Sequence, residues 1–513
     1  ELHPQIEDAA PPLAEAVSDL VFCNPFLPER IACEQVALGD ASVQRSGTWN
    51  VRADLVGERP NVVIIQRRAE ELLQSLRKRL EAGATPTAAE QPLYRDLAEY
   101  CVYYRHQGAL LALARSFADP DVPAGDADQT GLYQVFRDDL HHSLAVPGIK
   151  ADASEAAMAH AFACSFQVRR AFDAIFSFIV GGSPATSRLR AAIWQSIFTH
   201  DMRRFRQVMF SRMRDIAVLV TGPSGTGKEL VARAIARSPF MPFDLKARRF
   251  VERPDRWLLP LNLPALSPTL IESELFGHRR GAFTGADADH PGWLEACGRY
   301  GTVFLDEIGE IDRSIQVKLL RVLEDRSFSR LGETGSRHFE GKLIAATNRD
   351  LGAEMQAGAF RADLFYRLCS DVIQTPALAD QLAEDPGELS NLVQFIARRV
   401  VGAGEGARLA DEAITWIEAN LGPGYSWPGN VRELEQCVRN ILIRGAYHPP
   451  TPTPRGPHQQ LLADMQRGAI SADDLLQRYA AMVYDQCGSY EETGRRLGVD
   501  RRTAKRKITG TAL

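Results

Sequence analysis

IAVLVTGPSGTGKELVARAIAR, residues 216–237, sets an apolar strand, a glycine-rich turn and an amphipathic helix in immediate succession. In the turn, Gly222, Gly225 and Gly227 let the backbone fold so that its N–H groups converge on phosphate oxygens, with Pro223, Ser224 and Thr226 completing the loop. The helix that follows adds the partial positive charge of its N-terminus, and Lys228 reaches the terminal phosphates. The pattern is G-x-x-x-x-G-K, with Glu229 where Ser or Thr normally holds magnesium. A helix entry without a ligand is the alternative. The strand before the turn and the helix after it argue against that.

Downstream, VFLDEIGEI (303–311) is a second apolar strand, ending in Asp306 and Glu307. Two carboxylates at a strand's C-terminal edge stand where ligands of open α/β sheets bind. One can hold Mg²⁺ and the other can orient or deprotonate the attacking water. A third strand, LIAAT, ends in Thr347–Asn348, where an amide can sense a γ-phosphate; an ordinary turn asparagine fits equally well at this stage. Arg361, Arg367 and Arg432 follow in FRADLFYRL (360–368) and WPGNVRELE (427–435). Arginines can stabilise transition-state charge, but spacing alone does not separate that role from a salt bridge.

The whole chain has 513 residues, 24% of them charged, and a formal net charge of −5. Nucleic-acid binding therefore requires a local basic cluster, because the global field is weakly negative. Eight cysteines lie scattered, without metal-ligand spacing, which places the chain in a reducing cytoplasm. The longest apolar run, AFDAIFSFIV (171–180), contains Asp173 and is too short to span a membrane. His141–His142 reads as a surface pair.

Four segments follow from the changes in pattern. Residues 1–178 carry helical periodicity, as in IQRRAEELLQSLRKRLEAG and EAAMAHAFACSFQVRRAFDAIF, and read as mostly helical. Residues 179–447 alternate apolar strands with amphipathic helices, which predicts a parallel α/β sheet. Residues 448–460, with PPTPTPRGPH, form a proline-rich linker. Residues 461–513 end in GSYEETGRRLGVDRRTAKRKI, a helix–turn–helix reading with Asp500 as N-cap of the second helix. Arg501, Arg502, Thr503, Lys505 and Arg506 on that helix are the candidate DNA contacts; a solvated basic helix is the alternative.

Between the first two strands, ESELFGHRRGAFTGA (272–286) has a glycine-flanked Phe–Thr tip without acid, base or metal ligand, which suits a loop that touches a partner. In the order GPSGTGKE, ESELFGHRRGAFTGA, GTVFLDEIGEI, VKLLRVLEDRSFSRLG, LIAATNRDL, FRADLFYRL, WPGNVRELE, the chain resembles the AAA+ domain of sigma-54-dependent transcriptional activators, from about residue 181 to Ile443. Its C-terminus resembles their Fis-type DNA-binding domain.

The resemblance implies an α/β AAA+ P-loop core with a helical lid (179–375 and 376–447), a mostly α N-terminal regulatory or sensory domain (1–178) and a small all-α helix–turn–helix domain. It implies ATP with Mg²⁺ on Asp306, Glu307 as base, Asn262 holding that Glu, and Asn348 and Arg432 as the two sensors. Arg361 and Arg367 are then offered to the adjacent subunit of a homo-hexamer, a dimer being the inactive form. Gly281, Ala282, Phe283, Thr284, Gly285 and Ala286 become the contact with sigma-54 RNA polymerase, Phe283 and Thr284 foremost, with a second loop near 327–335 moving alongside. The function implied is an activator that binds upstream DNA and uses ATP to convert the closed promoter complex into the open one.

A remodelling ATPase with another client shares the phosphate machinery but not the GAFTGA tip or the basic tail. A repressor that has lost hydrolysis is disfavoured by the presence of Lys228, Asp306, Glu307 and Arg367. Three segments depart from the family pattern: 193–215 and 238–257 are longer than usual, and 375–389 lacks the usual arginines.

Overall fold

Alternation along each central strand explains the layers. Val218 and Val220 of β1 (Val218–Thr221) point into one apolar cluster, and Leu219 between them points into another. The same split holds in β7 (Thr302–Asp306), with Phe304 on one side and Val303 and Leu305 on the other. In β10 (Lys342–Thr347), Ile344 and Ala346 oppose Leu343 and Ala345. Strands apolar on both faces are buried on both faces, as parallel sheets require. With β4 (Leu258–Asn262) and β11 (Val372–Gln374) they form one parallel sheet in the order β11-β1-β10-β7-β4.

The computed structural model describes residues 5–39, 60–118, 128–251, 256–422, 424–449, 461, 464–465 and 468–509. They fall into two compact units, residues 1–446 and 447–513. Among the described residues no helix is long and apolar enough to cross a membrane.

On the first face of the sheet pack α6 (Glu155–Phe178), α7 (Pro184–Phe198) and α9 (Lys228–Ala236), with α8 (Met202–Gln207) between α7 and β1 in the chain. Ser154 and Ser183 cap α6 and α7 through their side chains, and Pro184 fills the first turn of α7. The second face takes α10 (Pro268–Phe276), α11 (Trp293–Ala296), α12 (Arg313–Asp325) and α14 (Ala362–Leu368), with α13 (Leu351–Gln356) preceding α14. The lid is α15 (Leu378–Glu384), α16 (Glu388–Asn420), broken at Gly402, and α17 (Asn430–Arg444).

The N-terminal helices α1 (Gln5–Phe22), α2 (Pro28–Leu38), α3 (Pro60–Glu81), α4 (Glu90–Ala118) and α5 (Gln129–Leu144) share a core with α6. The polar stretch 118–131 falls mostly outside the described residues. His141 and His142 lie exposed on the last turn of α5.

The extra segment 238–257 turns out to belong to that helical core. It forms the hairpin β2 (Phe243–Asp244) and β3 (Arg249–Phe250). Phe250 stacks on Phe166 at 4.3 Å and on Phe162 at 5.4 Å, and Phe243 stacks on Tyr133 at 4.4 Å. The Phe250 N–H donates to Gln129 Oε1 at 2.9 Å. A segment anomalous for the α/β core is thus the arm by which that core grips the N-terminal helices.

In the second unit, α18 (Ala472–Cys487), α19 (Tyr490–Leu497) and α20 (Arg501–Thr509) pack around Thr493 and Ala504, both fully buried. The proline-rich stretch lies outside the described residues from 450 onward.

Phe162 is fully buried and its ring meets Tyr133, Phe136, Phe243 and Phe250. Phe162→Ala is expected to destabilise the larger unit by about 3–5 kcal/mol, the usual penalty for emptying a buried aromatic site. Urea unfolding followed by tryptophan fluorescence measures it; a loss under about 1 kcal/mol would mean that the hairpin does not support these helices.

Candidate functional site

The loop 222–227 leaves the C-terminal end of β1 and enters α9 at Gly227. Two contacts explain why it is glycine-rich. A Cβ on Gly222 would lie 2.2 Å from Thr375 Oγ1, and one on Gly225 would lie 2.3 Å from the Gly429 carbonyl oxygen. Gly225 also has φ +80°, which a side chain strains. Thr226 donates to the Pro223 carbonyl at 2.8 Å and shares a 2.6 Å hydrogen bond with Thr375. Lys228, nearly buried, folds back over the loop: its Nζ donates to the Gly222 carbonyl at 3.0 Å and lies 3.8 Å from Glu307 Oε1. Glu229 turns away and pairs with Arg233 at 2.7 Å.

Strand register brings the acidic residues to the same edge. Asn262 ends β4 opposite Asp306 at the end of β7. Burial first, and then the charge of Glu307, hold the Asp306 carboxyl above the usual carboxylate range, while Lys228 pulls the other way. Glu307 has φ +56°, a strained conformation for a residue with a side chain. Its Oε2 accepts the Asn348 N–H at 3.0 Å, so Asn348 meets the acidic pair through its backbone.

The lid closes on the phosphate loop from above. Arg432 donates its backbone N–H to the Gly225 carbonyl at 3.3 Å and a guanidinium N–H to Ser224 Oγ at 3.3 Å. Asn430 Nδ2 donates to the Ser224 carbonyl at 2.9 Å, and its Oδ1 accepts the Leu378 N–H at 2.9 Å.

Lys228, Asp306, Glu307, Asn262, Asn348 and Arg432 therefore converge. Arg361 and Arg367 do not join them: Arg361 pairs with Asp363 at 2.6 Å, and Arg367 with Glu324 at 3.2 Å on α12. Sequence reading missed Asn430 and Thr375. Asn430 stands inside WPGNVRELE, and Thr375 opens the segment singled out only for its missing arginines.

The 281–286 tip rises between β5 (Gly277–His278) and β6 (His290–Pro291). Gly281 N–H donates to the Ala286 carbonyl at 2.8 Å and Ala286 N–H to the Phe283 carbonyl at 3.0 Å, which closes a tight turn with Thr284 exposed at its end. The Phe283 ring leans on His278 at 4.9 Å, and Ala286 is buried beneath. A second loop, between β8 (Ser327–Phe328) and β9 (Arg337–His338), locks against it. Leu331 N–H donates to the Gly277 carbonyl at 2.9 Å, Arg279 N–H donates to the Leu331 carbonyl at 3.0 Å, and a Cβ on Gly332 would sit 3.1 Å from Ala282 Cβ. Arg330 is held by Glu295 at 2.7 Å.

In the second unit, Asp500 caps α20 by accepting the N–H groups of Arg502 at 2.8 Å and Thr503 at 3.0 Å. Thr503 also spends its hydroxyl on Asp500, at 2.6 Å. Arg501, Arg502, Lys505 and Arg506 are exposed, whereas Lys507 is paired with Asp473 at 2.5 Å.

Sheet order, phosphate loop and docked helical lid define an AAA+ P-loop fold. A family profile described as "Sigma-54 interaction domain" matches residues 196–374. Transcriptional regulatory protein ZraR of Escherichia coli (strain K12) is 38% identical over 309 residues, covering 58% of this chain and 63% of ZraR. The chain thus spans just under two thirds of that relative's length. ZraR of Salmonella typhimurium is 34% identical over 369 residues, covering 69% of this chain and 73% of ZraR. A crystal structure of NtrX from Brucella abortus aligns with TM-score 0.40 and 24% identity, covering 74% of this chain and 79% of that one. The chain belongs to the sigma-54-dependent transcriptional regulators.

Asn430 is 4% exposed, and its one side chain bridges the phosphate loop and the lid. Asn430→Ala is expected to weaken binding of a fluorescent ADP analogue by tenfold or more, about 1.4 kcal/mol. Unchanged affinity in a fluorescence titration would remove the bridge from the binding site.

Proposed function

We propose that this protein is an ATP-hydrolysing activator of sigma-54 RNA polymerase that works as a ring, in which the 281–286 tip touches sigma-54. The observation that carries this reading is the exposed Thr284 tip, braced by a second loop on the same α/β core as the phosphate loop. In it, the backbone of 222–227 and Lys228 bind the β- and γ-phosphates, Glu307 orients water, and Arg432 reads the γ-phosphate from the lid.

Asp306 suits Mg²⁺. It is an oxygen ligand whose burial beside Glu307 disfavours its own charge, and a cation relieves that. Among the described residues no three His, Cys, Asp or Glu cluster as a metal cage, and Mg²⁺ is ordinarily held by one or two carboxylates with phosphate oxygens and water. Bound there, the ion would neutralise charge on the transferring phosphoryl group. Arg361 and Arg367, engaged away from the phosphate loop, suit service to a neighbouring subunit, with a hexamer as the assembly. Residues 1–178 are the regulatory region, and the second unit binds upstream DNA through Arg501, Arg502, Lys505 and Arg506.

With ADP and aluminium fluoride, the full chain is expected to form a complex with sigma-54 on native gels that Thr284→Ala abolishes while ATP binding persists. ATP turnover without any such complex would assign the motor to another client.

Removing one phosphate contact lowers the slope of log affinity against log salt by about 0.9. Arg502→Ala is therefore expected to weaken binding to upstream DNA and flatten that slope by about one, read by fluorescence anisotropy across salt. An unaltered slope would leave Arg502 outside the DNA interface.

A further inference from the structure

The two sequence segments that exceed the family pattern meet at one place. At the N-terminal ends of β7 and β10, opposite the edge that carries Asp306, lies a cavity of about 140 Å³. Segment 193–215 lines it with Ser196, Phe210 and Arg214, and segment 238–257 with Ser238 and Phe240. Gln167 of α6 and Lys342 of β10 complete the polar wall.

Hydrogen-bonding atoms here stand without partners. Ser196 is 3% exposed and its Oγ is unpaired. Gln167 is 2% exposed; its amide nitrogen donates to the Ser238 carbonyl at 3.0 Å, which fixes the amide's orientation and leaves Oε1 unpaired. Arg214 Nε is buried without a hydrogen-bond partner among the described residues, its charge partner Asp215 lying at 3.7 Å, beyond hydrogen-bond distance. Lys342 Nζ donates to the carbonyls of Met213 and Ile216 at 2.9 and 3.0 Å, which uses two of an ammonium's three protons.

The charge balance is positive. Lys342, Arg214 and the exposed Arg299 line the cavity without a carboxylate among the lining residues; Asp371 and Asp215 act on Lys342 from outside it, and Asp215 is already shared with Arg326 at 3.6 Å. Burial pushes the Lys342 ammonium down to about 8, with Asp371 opposing. An anion in the cavity would relieve that penalty.

The cavity has the volume of about five waters at ~30 Å³ each, and Phe210, Phe240 and Ile235 make much of its wall apolar. Its volume is close to that of an engineered cavity of about 150 Å³ that takes benzene.

We propose that this cavity binds a small amphipathic carboxylate of roughly six to ten non-hydrogen atoms, its charge between Arg214 and Lys342 and a hydroxyl directed at Gln167 Oε1 and Ser196. Such a ligand touches the supports of the phosphate site. Ile235 lies at the far end of the helix that begins with Lys228, and Thr302 and Lys342 start the strands that end in Asp306 and Thr347.

Calorimetric titration of the full chain tests this with 4-hydroxybenzoate and the slimmer 5-hydroxypentanoate. Uncharged 4-hydroxybenzyl alcohol and hydroxyl-free benzoate serve as controls. One saturable site per chain is expected for at least one hydroxy acid, with each control weaker by tenfold or more. Arg214→Gln is expected to remove the preference for the acid over the alcohol. Ser196→Leu, which fills the cavity, should abolish binding while the unfolding midpoint holds; if that variant does not fold, Arg214→Gln decides. No binding of either acid, equal binding of the alcohol, or an Arg214→Gln variant that still prefers the acid would overturn the proposal.

Discussion

The backbone of Gly222–Gly227 is the surface on which the edge of the sheet and the start of the lid meet. Thr375, just beyond β11, lies so close to Gly222 that no side chain fits there, and Gly429, just before α17, does the same at Gly225. Two distant parts of the chain thus pack directly on one loop, and these closest contacts are made by backbone or a short hydroxyl. Close-packed interiors transmit displacement instead of absorbing it. A phosphate that moved this loop would therefore move the end of the sheet and the start of the lid together.

Electrostatics adds a second constraint at the same place. Lys228 is nearly buried and satisfied by carbonyl oxygens of its own loop, with Glu307 at 3.8 Å rather than in hydrogen-bonding contact. Asp306 is disfavoured in its charged form by burial and by Glu307. One cation beside two carboxylates, one of them on a strained backbone, is an arrangement that further positive charge and phosphate oxygens would complete.

Much of this was legible because it depends on local chemistry. The strands show as apolar runs, the phosphate loop as glycine spacing, and the cap of the last helix as Asp500 ahead of Arg501. Asn430 and Thr375 were not legible, since their importance lies in contacts with residues 206 and 149 positions away. Thr503 sits among basic residues that read as DNA contacts, but its hydroxyl is spent on the cap. The hairpin at 243–250 looked like an anomaly for the opposite reason: its aromatic residues are foreign to the α/β core and complementary to helices more than 80 residues earlier.

That complementarity changes how the N-terminal helices relate to the sheet. Helices joined to the sheet only by a linker could tumble independently of it. Here α6 contributes Phe162 and Phe166 to the helical core, and Ala171 and Ile175 to the cluster under the sheet. The same cluster holds Val231 and Ile235 of α9, the helix that begins with Lys228. One rigid helix is therefore built into both cores. A shift in the N-terminal helices must either be carried by α6 into the packing beneath the phosphate loop or break the aromatic contacts around Phe250. With Phe166 stacked on Phe250 at 4.3 Å and Gln129 bonded to its backbone, transmission is the path that keeps the buried contacts intact.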